Sequence, residues 1–233
     1  PEGEMESLEL VVLSPGVPLD IPVVEQMKTQ GICIWGEIEL AYVLGKGTVV
    51  AITGTNGKTT TTTLVGQIMA RHFAKVQVVG NIGIPYTSVV EDTTEDTVVV
   101  AEISSFQLET IQTFAPKAAA ILNITPDHLN RHHTMENYIA AKESIVKNQS
   151  KEDICVLNYN DEVLRDFGKT LEQNVIYFSS TEVLEEGLYL DGNEIMWARN
   201  GVSEPIISVE ELHILGAHNY ENAMAAIALC DGM

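Results

Sequence analysis

Residues 54–60 read Gly-Thr-Asn-Gly-Lys-Thr-Thr, between the strand-like run TVVAIT and a helix-like run, and three more threonines follow at 61–63. In such a loop backbone N–H groups converge on an anion, the helix N-terminus adds partial positive charge, and a lysine reaches terminal phosphates. Gly54, Thr55, Asn56, Gly57, Lys58, Thr59 and Thr60 are therefore the candidate cradle of a nucleoside triphosphate. The hydroxyl directly after the lysine, that of Thr59, is placed to ligate Mg²⁺. The usual loop has another glycine two positions before Gly54, where this chain has Ile52, so the motif is a shortened variant. Threonine is a poor interior helix former, but propensity matters little in a first turn. Thr61 to Thr63 take no ligand and are read as packing and backbone bonding under the loop.

Ligands of open α/β sheets bind outside the carboxyl ends of the strands. Asn81 follows the run VQVVG, and Glu102 and then Ser104-Ser105-Phe106-Gln107 follow VVVA. Asp127 and His128 follow AILNI. Singly, Asn81 reads as a turn residue, Glu102 and Asp127 as helix caps and His128 as a surface histidine. Together at the edge that carries the loop they mark an active site, with Glu102 as a hard-oxygen ligand for Mg²⁺. Lys142 is the anomaly: it falls within the apolar stripe of Met135, Tyr138, Ile139, Ile145 and Val146. Two readings stand, a side chain that snorkels to water and a lysine held near anions or metal. Asn219 and Asn222 share a helix face, as a cap or as a pair of amides that read a nucleobase edge.

The elements that must position these residues alternate. Strand-like runs fall at 8–13, 48–53, 75–80, 97–103, 118–124, 153–158 and 174–179, and helical patterns at 58–72, 104–113, 134–148, 161–172 and 218–230. Continuous Val/Ile/Ala strands between amphipathic helices predict an α/β fold, a mostly parallel sheet covered by helices. The run LYLDGNEIMWAR at 188–199 breaks the rhythm and predicts a surface hairpin around Asp191-Gly192-Asn193. A boundary is expected near Gly45-Lys46-Gly47, after a short βαβα piece that carries the turn Ser14-Pro15-Gly16-Val17-Pro18 and starts on an exposed PEGEME. The net charge of −20 opposes nucleic acid and anionic membranes, so phosphate must be held by local devices. Three cysteines without metal spacing suit a reducing cytoplasm.

GTNGKTT at 54–60, GNIG at 80–83, the E-x-S-S-F-Q-L run at 102–108, LNITPDHLNRH at 122–132, AAKES at 140–144 and LGAHNYENAMAA at 215–226 together resemble the Mur ligases of peptidoglycan synthesis. SSFQLE resembles, more narrowly, the branch that adds D-glutamate. The resemblance implies a cytoplasmic, monomeric bacterial ligase with a P-loop central domain and a Rossmann-like UDP-binding domain before it. It implies ATP, two Mg²⁺ ions, and UDP-N-acetylmuramoyl-L-alanine and D-glutamate as substrates. It places the triphosphate on residues 54–60 and one Mg²⁺ on Thr59 and Glu102. His128 and a carbamylated Lys142 hold the second, so the catalytic set is Lys58, Glu102, His128 and Lys142. Asn81 and His128 then face the muramoyl substrate, Ser14, Pro15 and Gly16 the UDP moiety, and Asn219 and Asn222 the adenine. Asp is expected where this chain has Asn130.

On this reading residues 1–46 are the C-terminal part of the UDP-binding domain, residues 47–233 are the ATP-binding domain, and the C-terminal domain is absent. A fragment of that extent is expected to be inactive or nearly so. The rivals are a sibling ligase such as a folylpolyglutamate synthase, against which SSFQLE argues, and a nucleotide-binding module without ligase activity. The second has no use for a lysine on a buried face.

Overall fold

The computed structural model describes residues 7–81, 83–212 and 216–233. Residues 1–6, Ile82 and 213–215, which include the PEGEME start and one residue each of the GNIG and LGAHNYENAMAA runs, lie outside the described residues. The leading piece holds β1 (Leu10–Leu13), α1 (Pro22–Thr29), β2 (Cys33–Gly36) and α2 (Glu37–Leu44), and β1 pairs with β2 in parallel as a separate sheet. Pro22 opens α1, where its missing N–H would have had no helical partner.

Then come β3 (Thr48–Thr53), α3 (Lys58–Met69), β4 (Val76–Gly80), β5 (Val98–Glu102), the single turn α4 (Ser105–Leu108) and β6 (Ala118–Ile121). The single turn α5 (Leu129–His132), α6 (Met135–Glu143), β7 (Ile154–Asn158), α7 (Glu162–Gly168) and β8 (Asn174–Ser179) follow. The chain ends through β9 (Gly187–Asp191), β10 (Glu194–Arg199), β11 (Val202–Ser208) and α8 (Ala217–Asp231). Strands β3 to β11 form one sheet in the order β11-β10-β9-β8-β7-β6-β3-β5-β4. Pairing is parallel from β4 across to β9 and antiparallel from β9 to β11.

The period-2 alternation of β3 sends Val49 and Ala51 to one face and Val50 and Ile52 to the other. The first face packs on Ile38 of α2 and Tyr138 of α6, the second on Val65 and Met69 of α3 and Met224 and Leu229 of α8. Burial on both sides explains why β5 and β7 are apolar almost throughout. No helix among the described residues is long and apolar enough to cross a membrane.

Two elements differ from the sequence expectation. The hairpin forms around Gly192-Asn193, but it is no surface appendage. Its strand β9 pairs with β8, and Leu188, Ile195 and Trp197 are buried in the second core. The helix expected over 104–113 closes after Leu108, because the Glu39 carboxylate captures the backbone N–H groups that a longer helix would use. Glu39 is fully buried and accepts from Gln112 N at 2.8 Å, Thr113 N at 2.7 Å, Thr113 Oγ1 at 2.6 Å and Phe114 N at 3.1 Å.

This carboxylate anchors the leading piece to the main sheet. Glu39→Ala is expected to cost roughly 3 kcal/mol, since several donors lose a charged acceptor at once. Urea unfolding at constant m checks it, and a loss below about 1 kcal/mol would remove the anchor role.

Candidate active site

β3 delivers the loop 54–57 onto the start of α3, β4 leads to Asn81, β5 ends in Glu102, and β6 feeds residues 122–128. All four strand ends lie at one edge because the strands are parallel neighbours. Gly57 caps α3 with φ +84°, and a Cβ there would stand 2.3 Å from Asn222 Oδ1, so the position requires glycine. Asn123 grips the loop on both sides: its Oδ1 accepts from Asn56 N at 2.8 Å and its Nδ2 donates to the Asn56 carbonyl at 3.1 Å. Thr55 Oγ1 accepts from Thr125 N at 3.0 Å and lies 2.9 Å from the Tyr138 hydroxyl. Thr61 and Thr62 are buried, as packing under the loop requires, while Thr59 is exposed in the first turn.

Lys142 does not snorkel. It is 2 % exposed and donates from Nζ to the Gly54 carbonyl at 2.8 Å, with the Tyr138 ring 4.8 Å below the ammonium. Lys58 Nζ donates to the same carbonyl at 3.0 Å and to that of Thr55 at 2.9 Å. Burial pushes the Lys142 amine down to about 7, Lys58 pushes the same way, and Asp127 opposes. Burial also lowers Lys58, against the pull of Glu102 and Asp127. Asp127 is thus the group of its strand end that acts on both lysines.

Glu102 is 2 % exposed and accepts from Asn81 Nδ2 at 3.2 Å. It is not a helix cap, for Ser104 and Gln107 close a capping box on α4. Gly80, at φ +120°, lets β4 approach so closely that a Cβ would lie 2.0 Å from the Glu102 carbonyl oxygen. His128 is exposed with φ +52°, its ring 4.9 Å from that of Phe106. Asp127 is no N-cap either; its Oδ1 accepts from His128 N. Its neighbour His132 is buried, with Nε2 2.9 Å from Ser105 Oγ, and burial lowers its pKa most, with Glu109 opposing.

The turn at Ser14-Pro15-Gly16 is closed by Val17 N donating to the Ser14 carbonyl at 2.9 Å. Ser14 and Pro15 share a crevice with Phe106 and Gln107, and Arg131 donates to the Val17 carbonyl at 3.0 Å. Gly216, not an asparagine, is the N-cap of α8. Asn222 is buried; its Oδ1 accepts from Thr61 Oγ1 at 3.3 Å and its Nδ2 donates to Asn219 Oδ1 at 3.2 Å. Beside it a cavity of about 400 Å³ opens between the loop, Leu122, Phe178 and Glu221.

The loop, Glu102 and Lys142 are legible in the sequence as candidates, whereas Asn123 and Glu221 are not. An amide in LNI and an acid in HNYEN carry no motif of their own. The donor set suits Mg²⁺: a buried carboxylate whose partner is a neutral amide, and a hydroxyl in the first turn of α3. Among the described residues no three of His, Cys, Asp and Glu converge on one point. A metal here therefore needs hydroxyl, water and phosphate oxygens as well, which is how Mg²⁺ usually binds.

Residues 52–230 match the model of the Mur ligase middle domain. The chain is 56 % identical over 228 residues to a UDP-N-acetylmuramoylalanine--D-glutamate ligase of Lachnoclostridium phytofermentans, covering 97 % of this chain and 50 % of the relative. The corresponding ligase of Clostridioides difficile is 48 % identical over 229 residues, with coverage of 97 % and 50 %. The chain thus spans about half the length of the curated relatives it matches. Among solved structures, a MurF ligase from Thermotoga maritima in complex with ADP has a TM-score of 0.59 at 17 % identity, covering 98 % of this chain and 64 % of that one. A UDP-N-acetylmuramoyl-L-alanyl-D-glutamate--2,6-diaminopimelate ligase reaches 0.61 at 17 % identity, with coverage of 97 % and 58 %. The two structures agree with this chain in fold, and the middle-domain match spans the loop and every strand end that faces it: the chain belongs to the Mur ligase family.

Proposed function

We propose that this chain forms the nucleotide-binding core of an ATP-dependent ligase that joins D-glutamate to UDP-N-acetylmuramoyl-L-alanine in the bacterial cytoplasm. The names of the relatives at 56 % and 48 % identity support that substrate pair. The observation that carries the chemistry is Lys142, buried with its head on the Gly54 carbonyl of the phosphate loop. In this reading residues 1–46 close a UDP-binding domain and residues 47–233 are the ATP-binding domain.

A carboxylate is a poor electrophile, so transfer of the terminal phosphoryl group of ATP to the substrate carboxylate supplies a leaving group. The amine of D-glutamate then attacks the acyl carbon, phosphate leaves, and an amide remains. The protein's share is positioning and charge neutralisation. Residues 54–60 cradle the triphosphate, and Lys58 exchanges loop carbonyls for phosphate oxygens. Asn81 and His128 hold the muramoyl end, Ser14, Pro15 and Gly16 the UDP end, and Asn219 and Asn222 border the adenine. Thr59 and Glu102 would hold one Mg²⁺, and His128 with Lys142 a second; the metal supplies neutralisation of developing phosphate charge. Lys142 serves as a carbamate, because CO₂ adds to a neutral amine and an amine near 7 is partly neutral at neutral pH. The carbamate also replaces a cation that faces Lys58 with an anion.

Lys142→Ala in the full-length polypeptide is expected to lower D-glutamate-dependent phosphate release by about 10³-fold, with partial recovery in formate or acetate. An unaffected variant would remove the carbamate. Carbamate content, followed by NMR with ¹³C-labelled CO₂, should fall as pH drops below about 7 and protonates the amine.

The same burial predicts a cost to stability. The folded pKa of about 7 lies below lysine's ordinary value of 10.5, so unfolding between those values takes up a proton, and stability rises with pH across that window. Below about pH 7 the penalty is present in full. Lys142→Met should therefore unfold at higher urea than wild type at pH 6.5, with the gap closing towards pH 10. A Met variant that is the less stable of the two at pH 6.5 would contradict this.

A further inference from the structure

We infer that the hydroxyl of Thr53 anchors a carbamate on Lys142: it donates to one carboxyl oxygen of the modified side chain and so fixes which way the new anion faces. The inference deepens the proposed function and rests on the carbamate invoked there.

Among the described residues three buried side-chain atoms have no hydrogen-bond partner in the protein: Thr53 Oγ1, Thr62 Oγ1 and Gln149 Oε1. Gln149 lies near the opposite ends of the strands, its Nε2 on the carbonyls of Pro116 and Ile154. Thr62 belongs to α3, which packs on the second face of the sheet. Thr53 is the last residue of β3 before the phosphate loop, and its side chain follows Val49 and Ala51 onto the first face. It is fully buried, with Ile121 beside it in register on β6. Buried polar groups are nearly always paired, so a hydroxyl left over at this point marks the place of a partner that the chain's other groups do not supply.

Lys142 is the neighbour with a complementary shortage. It shares a face of α6 with Tyr138, which packs on the first face of the sheet, and its Nζ reaches the carbonyl of Gly54, the residue next to Thr53. An ammonium carries three donors, and among the described residues this one has a single acceptor, Gly54, besides the face of the Tyr138 ring. The hydroxyl and the amine therefore both lack an acceptor, and CO₂ supplies it. The lone pair of the neutral amine attacks the carbon, a C–N bond forms, one C=O electron pair moves onto oxygen, and the proton lost from nitrogen goes to water. The product keeps an N–H for the Gly54 carbonyl and gains two carboxyl oxygens. One takes the Thr53 proton and the other stays free for a cation. Hydrogen bonds to a charged acceptor are stronger than those between neutral groups, so the hydroxyl favours the carbamate over the free amine.

Titration of the 233-residue chain with ¹³C-labelled CO₂ at one alkaline pH, followed by NMR, tests this. Thr53→Val keeps the branched shape and removes the hydroxyl, and the CO₂ concentration for half-occupancy is expected to rise at least about fivefold. Thr53→Ser keeps the hydroxyl and should stay within about twofold of wild type. In CO₂-free buffer Thr53→Val should unfold at the same or higher urea than wild type, because it removes an unpaired buried group. A Val variant that takes up CO₂ like wild type, or a Ser variant that weakens like Val, overturns the inference and leaves the carbamate in place. A Val variant clearly less stable than wild type without CO₂ means that the hydroxyl already has a partner, and also overturns it. A crystal structure of wild type in bicarbonate needs no variant: a carbamate oxygen within about 3 Å of Thr53 Oγ1 supports the inference, and a water there instead overturns it. No carbamate in wild type at any CO₂ concentration removes the carbamate reading and this inference together.

Discussion

Two lysine amines on one carbonyl oxygen are the constraint around which the site is organised. Lys58 and Lys142 both donate to Gly54, each depressed by burial. With both amines protonated, like charges so placed would separate if the loop could yield, and it cannot. Asn123 clamps Asn56, Asn222 fills the space beside Gly57, and Thr55 is tied to Thr125 and Tyr138. The free protein therefore carries a local electrostatic cost that an anionic ligand relieves, which is how functional sites commonly depart from maximal stability. Glu102 and Asp127 offset part of that cost without sitting in contact with both cations.

How much of this was legible in the sequence depends on how local the cause was. The strand, glycine loop and helix were legible because a tight turn and a change of period are local signals. Lys142 was legible because helical spacing alone puts residue 142 in line with Met135, Tyr138 and Ile145. Asn123 was not, since its value lies in which loop the β6 end happens to face. The length of α4 was not, because the competitor for its backbone donors, Glu39, comes from a helix some seventy residues earlier. The hairpin turn was legible from Gly192 and Asn193, but its place in the main sheet was set by β8, which only tertiary packing supplies. β11 escaped notice because Pro205 and a mostly exposed pattern read poorly as a strand, though both suit a sheet edge.

The leading piece is docked rather than tethered. Besides Glu39, the Gln107 amide donates to Glu37 at 2.8 Å and Arg131 joins the Val17 carbonyl to Glu109. The turn at 14–16 is thereby held at a set distance from the 104–107 run and from Glu102. Under the proposed function, a substrate with a nucleotide at one end and a reacting carboxylate at the other would be measured by that distance, through packing rather than through a flexible joint.

The strand order has a further consequence, for the way the molecule comes into being. β3, which carries the loop, lies between β5 and β6, and both neighbours follow it in the chain, at Val98–Glu102 and Ala118–Ile121. Lys142 and Asn222 follow later still. The β9–β11 meander closes through short turns and local contacts, whereas β3 can only be enclosed by contacts far along the chain, and such contacts form slowly. On a growing polypeptide the phosphate loop is synthesised early and completed late. Until α8 has emerged, Gly57 has no Asn222 beside it, so under the proposed function nucleotide binding would report that this helix has arrived.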